Sequence, residues 1–328
     1  MIRFLIKRFS ILIPMLFFMS MLTFGIIMAP PGDYLTAYVA QLEAQGDIVD
    51  ENELESLQRQ YGLGDPIYMQ YIKWLSKIVR GDLGMSMEFN RPVNDLIGER
   101  LAMTLMLGLF TIFFTWSLAI PIAIISAVKQ YSFIDHFFTL LSYIGVGTPN
   151  FLLALVTMWF VFSTFGLKIT GLFSSEYQDA AWSVGKFFDM LQHIWVPMII
   201  LGTDGTARFV RIIRANLLDE LNKPYVETAR AKGVPEWQLL LRYPVRLALN
   251  PFVSTVGWQI PQLFSGSLIV ATVLSLPTIG PLLLRSLFAQ DMFLAGSIIF
   301  ILTILTMLGT LISDIILALM DPRIRLGA

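Results

Sequence analysis

Uncharged apolar runs limit this chain's fold more than any other feature. Residues 9–31, 101–128, 137–167, 247–284 and 292–313 contain no Asp, Glu, Lys or Arg. Each is long enough, at about 20 residues or more, to cross roughly 30 Å of hydrocarbon as a helix. A further span is expected near residues 194–214, where Asp204, Arg208 and Arg211 interrupt an otherwise apolar stretch. Without it the directions of the later spans conflict. The expected architecture is therefore an all-α integral membrane protein with six transmembrane helices. Charged residues make up only 14% of the chain, against about 25% in soluble domains.

Lys and Arg positions set the expected orientation. With the N-terminus inside, the inner segments hold Arg3, Lys7, Arg8, Lys129, Arg208, Arg211, Arg214, Lys223, Arg230, Lys232, Arg242, Arg246, Arg323 and Arg325. The short outer loops hold Lys168, Lys186 and Arg285. Cytoplasmic loops concentrate basic residues, so both termini are expected in the cytoplasm. The first apolar run is too long for the hydrophobic region of a signal peptide and lacks a small-residue cleavage site, so it reads as an uncleaved span.

The expected organisation is an N-terminus and first span over residues 1–29 and an extracytoplasmic cap over 30–100. A core transmembrane domain follows over 101–328, with a cytoplasmic loop at 214–246. The cap segment carries 12 of the 24 acids, starts with the helix-stopping Pro30-Pro31-Gly32-Asp33, and is too long for a plain connector. Residues 43–60 read as a surface helix. In residues 67–79, Ile67, Tyr71, Trp74, Leu75 and Ile78 recur at helical spacing and predict an amphipathic helix. Gly81-Asp82-Leu83-Gly84 reads as a turn. The run 247–284 spans 38 residues, about 57 Å as one helix. A break is expected at Ser275-Leu276-Pro277-Thr278-Ile279-Gly280-Pro281, with a helix before it and a re-entrant or interfacial segment over 278–290. Gly145, Gly147 and Pro149 mark a kink or a close helix contact in the third span.

Chemistry-bearing residues exclude several classes. The chain has no cysteine and two histidines, His136 and His193, which leaves no thiolate site, metal cluster or nucleophile–base pair in view. Gly185-Lys186 is followed by Phe187 and lacks the upstream glycine of a phosphate-binding loop. Energy from ATP would have to come from another subunit, and no cofactor is expected on this one. Residues 225–233 predict a short mixed-charge helix between apolar spans. Pro224 stands at its start and Gly233 at its C-terminal cap, and a second helix is expected over 235–241. Thr228, Ala229 and Ala231 would allow close approach of a partner, while Glu227, Arg230 and Lys232 offer charges to one. The bland alternative is a surface connector whose basic residues meet lipid headgroups.

These residues resemble a known family, the permease subunits of binding-protein-dependent ABC importers in the oligopeptide/dipeptide/nickel branch. The branch's inner-loop signature, Thr-Ala-Arg-Ala-Lys-Gly, stands here as Thr228-Ala229-Arg230-Ala231-Lys232-Gly233, preceded by Tyr225. Arg211-x-x-Arg214, Gly81-Asp82-Leu83-Gly84-x-Ser86, Arg91-Pro92-Val93, Thr104-Leu105-x-Leu107-Gly108-Leu109 and Asp321-Pro322-Arg323-x-Arg325 resemble further motifs of that branch. Tyr243, Val245 and Arg246 depart from the general continuation, and the outer turn reads Pro277-Thr278 rather than Pro-Gly. The resemblance implies one of two permease subunits in the inner or plasma membrane of a prokaryote, forming a heterodimer, with two ATP-binding subunits carrying ATP and Mg and an extracytoplasmic solute-binding protein. It implies that Tyr225, Glu227, Thr228, Ala229, Arg230, Ala231, Lys232 and Gly233 form the helix that couples ATPase closure to alternating access.

Peptides are the expected substrate class, with oligosaccharides or nickel as alternatives. A self-contained secondary carrier or channel, and an assembly scaffold, are readings from other classes, and no nucleic acid is expected. Trp258, Gln259 and Gln262 are candidates to line the pathway. Asp204 is a pathway candidate or the structural partner of Arg208, one helical turn on. Asp314, near the inner end of the last span, reads as a packing or headgroup residue. Arg285 and Asp291 flank the outer re-entrant segment and are candidate contacts for the solute-binding protein.

Overall fold

The computed structural model describes residues 2–29, 35, 39, 65–178, 180–250, 252 and 268–320. The described regular structure is helical: α1 Ile2–Ile27, α2 Ile67–Val79, α3 Val93–Val128, α4 Phe133–Gly147, α5 Asn150–Phe165, α6 Val184–Leu221, α7 Pro224–Ala231, α8 Glu236–Arg242, α9 Pro244–Ala248, α10 Leu268–Val273, α11 Ile279–Phe288 and α12 Met292–Met320. Residues 30–33, the predicted helix 43–60, the lining candidates Trp258, Gln259 and Gln262, and the motif 321–325 lie outside the described residues.

Among the described residues four helices are long and apolar enough to cross a membrane: Arg8–Ile27, Val93–Val128, Val184–Leu221 and Met292–Ile316. Helices α4 and α5 qualify together but meet at 100°. The third span is therefore bent sharply at the Gly145–Pro149 stretch, where a kink or a close helix contact was expected. Pro149 gives the physical reason. It disfavours helical backbone at the residue before it, and Thr148 adopts φ −98°, ψ 117°. Helix α6 starts ten residues before the expected boundary, at Val184, where the Ser183 side chain accepts a 3.2 Å hydrogen bond from the Lys186 amide.

Contacts divide the chain into two units, Met1–Met103 with Thr278–Met307, and Thr104–Pro277 with Leu308–Ala328. In the first, α2 buries its predicted stripe around Trp74, which is 2% exposed. Phe24 and Phe300 pack on Trp74 with ring centroids at 5.7 and 5.9 Å. A Cβ on Gly296 would stand 3.3 Å from the Trp74 ring, so glycine there lets the helices close. Ile67 does not join this stripe and is exposed at the first turn.

In the second unit, α3 and α6 pack through Ala119, Ala123, Phe209, Val210 and Ile213, with Phe252 against them. A second cluster joins Ala127 and Leu217 to Val245 and Ala248 of α9. Helix α4 approaches α6 so closely that a Cβ on Gly145 would stand 2.9 Å from the Ala207 Cβ. The predicted break in the long apolar run is present. Helix α10 ends at Val273, Leu276 N–H donates to Ala271 O at 2.7 Å, and α11 begins at Ile279.

Candidate functional site

The predicted polar helix forms at α7, Pro224–Ala231, one residue earlier than expected. Pro224 at its first position has no N–H to leave unpaired there. Its end is a Schellman arrangement. Gly233 N–H donates to Arg230 O at 2.9 Å and Val234 N–H to Ala229 O at 3.2 Å. This requires a left-handed residue, and Gly233 has φ +74°. Nothing lies within 4 Å of a Cβ built there, so conformation and not crowding explains the glycine.

Two contacts hold the root of α7 and leave its tip free. Val226 is fully buried, and the Tyr225 hydroxyl donates to Glu220 at the end of α6 at 2.6 Å. Burial and the neighbouring Glu220 carboxylate push the Tyr225 phenol above its ordinary pKa. Glu227, Thr228, Ala231, Lys232 and Gly233 are exposed, and Ala229 is partly so. Arg230 makes two bonds to Glu236 of α8, at 3.1 and 2.6 Å. Hydrogen bonding between them raises the Arg230 pKa and holds Glu236 below the ordinary carboxylate range. The pair is half exposed, which makes it a weak brace between α7 and α8. Helix α8 also has Leu239 fully buried. The loop is thus a helix–glycine–helix unit, anchored at Val226 and Leu239, that presents small and charged side chains.

Upstream, Arg214 donates two 2.7 Å bonds to Asp135 at the start of α4, from Nε to Oδ1 and from Nη2 to Oδ2. The Asp135 side chain is 3% exposed and that of Arg214 24%. Tyr131 N–H adds a 3.0 Å bond to the same carboxylate. Sequence reasoning missed this pair. Ser132-x-x-Asp135 was the available signal, because Ser132 caps α4 and Asp135 lies in its first turn. Asp204 pairs with Arg208 at 2.9 Å, one turn apart on α6.

Just before α12, Asp291 occupies a different setting from the one expected. It is 0% exposed, so its carboxylate is enclosed by the fold and does not face a docking protein. One carboxylate oxygen accepts from Ser86 Oγ at 2.5 Å and Glu88 N–H at 3.1 Å, the other from Leu294 N–H at 3.0 Å. Burial pushes its pKa up, and the bonds from Ser86 and from the Leu294, Glu88 and Met87 amides oppose that. The Gly81–Ser86 motif thereby receives a structural role. Gly81 and Gly84 both have positive φ, and Asn94 clamps the turn through Leu83 N–H at 3.0 Å and Gly81 O at 2.8 Å. Arg285 stays exposed, bonded to Glu88 at 2.9 Å and lying 4.5 Å over the Phe89 ring.

Four long apolar helices and a bent apolar pair among the described residues, with an exposed polar helix between them, mark a multi-pass membrane protein. The chain belongs to the family described as binding-protein-dependent transport system inner membrane component, whose model matches residues 119–326. The companion N-terminal model of that system matches residues 1–108. The oligopeptide transport system permease protein AppB of Bacillus subtilis (strain 168) is 35% identical over 98% of both chains. The dipeptide transport system permease protein DppB of Escherichia coli (strain K12) is 29% identical over 99% of both. The glutathione transport system permease protein GsiC of Escherichia coli O6:H1 is 32% identical, again over 99% of both. These matches make the chain an ABC importer permease of the oligopeptide/dipeptide branch.

Proposed function

We propose that this subunit forms half of the translocation pathway of an ATP-driven importer for peptides, and that α7 is the helix through which ATPase closure drives alternating access. The observation that carries the coupling assignment is the build of α7. Its root is fixed by Val226 and by the Tyr225–Glu220 bond, its end is fixed by Gly233, and its tip is exposed. A push on the tip is transmitted as a rigid displacement to α6 and, through the Asp135–Arg214 pair, to α4. Glu227 is an exposed charge for an ATPase surface. The termini and the 214–246 loop lie in the cytoplasm in this reading. A second permease, two ATP-binding subunits and a solute-binding protein complete the machine.

Peptides are favoured over oligosaccharides and nickel because the relatives' names concern oligopeptides, dipeptides and glutathione. Of the predicted pathway residues, Asp204 is engaged by Arg208, which favours its structural reading. Arg285 remains an accessible candidate for the solute-binding protein. The test is uptake of labelled di- and oligopeptides, measured with ATP hydrolysis, in cells carrying Gly233→Val or Glu227→Arg. Loss of uptake with normal membrane insertion is expected; undiminished uptake in both variants refutes the coupling assignment.

A further inference from the structure

Beside α7 lies a cleft of about 710 Å³ whose wall includes Lys232, Arg242 and Arg246 and no carboxylate. Tyr225 also lines it, but its hydroxyl is already committed to Glu220. Thr228 and Asn250 supply further polar groups. Among the described residues no acid pairs with any of the three cations, whereas Arg230 on the same helix is neutralised by Glu236. Three like charges around one cavity repel each other until an anion enters.

The rim indicates which anion. Arg246 is the last charge before the 38-residue uncharged run that begins at Leu247, so the cleft opens where the chain enters hydrocarbon. Leu247 is 44% exposed at its edge and Tyr243 39%. On α8, Trp237 and Leu241 stand one turn apart with large apolar faces outward. Aromatic and apolar groups around basic ones are the pattern of a membrane–water interface.

We infer that this cleft binds the phosphate headgroup of an anionic phospholipid from the cytoplasmic leaflet. Lys232, Arg242 and Arg246 surround the phosphate, and the acyl chains leave along Leu247 and Tyr243. Because Lys232 belongs to α7, a bound lipid would steady the helix assigned above to coupling. The lipid site itself needs only the membrane orientation, not the ATPase assignment.

The test uses the full chain, co-expressed with the subunits that accompany it and delipidated in detergent. Short-chain phosphatidylglycerol, phosphatidylcholine and inorganic phosphate are titrated separately, with bound lipid counted by native mass spectrometry. Phosphatidylglycerol is expected to bind saturably and the other two to compete poorly. Each lost cation should weaken it about fivefold, so Arg242→Gln with Arg246→Gln should weaken it roughly 25-fold. The charge-retaining pair Arg242→Lys with Arg246→Lys should keep most of the affinity. If the double Gln variant fails to insert, Arg246→Gln alone must show the fivefold loss. Unchanged affinity in the Gln variants, or equal binding of phosphatidylcholine, overturns the proposal. Displacement by inorganic phosphate at equal concentration assigns the cleft to a free ion and also overturns it. Loss of an ATPase subunit from the Gln variants with lipid binding intact assigns it instead to an acidic partner surface. ATPase retention by the wild type reads the coupling assignment separately.

Discussion

The Asp135–Arg214 pair gives the sharpest energetic prediction, because the two partners differ in solvent access. Arg214→Met removes two 2.7 Å charge-assisted bonds and leaves the Asp135 carboxylate, 3% exposed, with the Tyr131 amide as its principal donor. Breaking a buried ion pair from one side costs about 3–5 kcal/mol, and the partial exposure of Arg214 argues for the lower figure, about 3 kcal/mol. Asp135→Asn should cost less, about 1–2 kcal/mol, because the freed guanidinium can reach water and the amide still accepts one bond. The double variant Asp135→Asn with Arg214→Met leaves no buried charge and should cost less than the sum of the singles by about 2 kcal/mol. At roughly 2–4 °C per kcal/mol, Arg214→Met should lower Tm by about 6–12 °C. Tryptophan fluorescence during thermal unfolding in detergent is a suitable assay. A larger loss for Asp135→Asn than for Arg214→Met, or strictly additive losses, would show that the buried carboxylate is not what makes the pair costly to break.

Other perturbations follow from equally local features. Gly145→Val places a branched side chain where even a Cβ stands 2.9 Å from Ala207, so α4 must move off α6 at a cost of about 1–3 kcal/mol, readable as a lowered Tm. Asp291→Asn substitutes an amide donor for an oxygen that faces donors, and should lower stability by about 1–3 kcal/mol by leaving one of them unpaired. Asp291 also sets a pH dependence. Its folded pKa is raised, so its contribution is complete below the ordinary carboxylate value and is lost as pH rises through the folded value. The wild-type advantage over Asp291→Asn in Tm should therefore narrow as pH is raised from about 4 toward neutrality; a widening gap would contradict the burial argument.

Much of this architecture was legible because a bilayer imposes its length on the sequence. The apolar runs located the long helices, and Pro224 and Gly233 bounded α7 within one residue, since each acts on its own backbone. The stripe at Tyr71 and Trp74 showed which face of α2 turns inward. What was not legible depends on residues far apart in the chain. Asp291 looked like a surface acid because its partners at Ser86 and Glu88 lie about 200 positions away. Asp135 was passed over because its guanidinium partner is 79 residues downstream. The 100° bend between α4 and α5 was foreshadowed by Pro149, but proline fixes only where a helix stops and not the direction in which the next one leaves.

Whether α7 delivers the ATPase stroke can be tested directly, because the chain has no cysteine of its own. A cysteine introduced at Ala231, on the exposed end of α7, would be unique in the chain. A photo-cross-linker attached to that thiol, in membranes holding the assembled transporter, should join it to an ATP-binding subunit, with a yield that changes when ATP is added. A matching cysteine at Leu109, on the exposed face of α3, should give no such product. Cross-links from Ala231→Cys to lipid or to other permease segments alone, in a transporter that still imports peptide, would mean that α7 does not meet the ATPase.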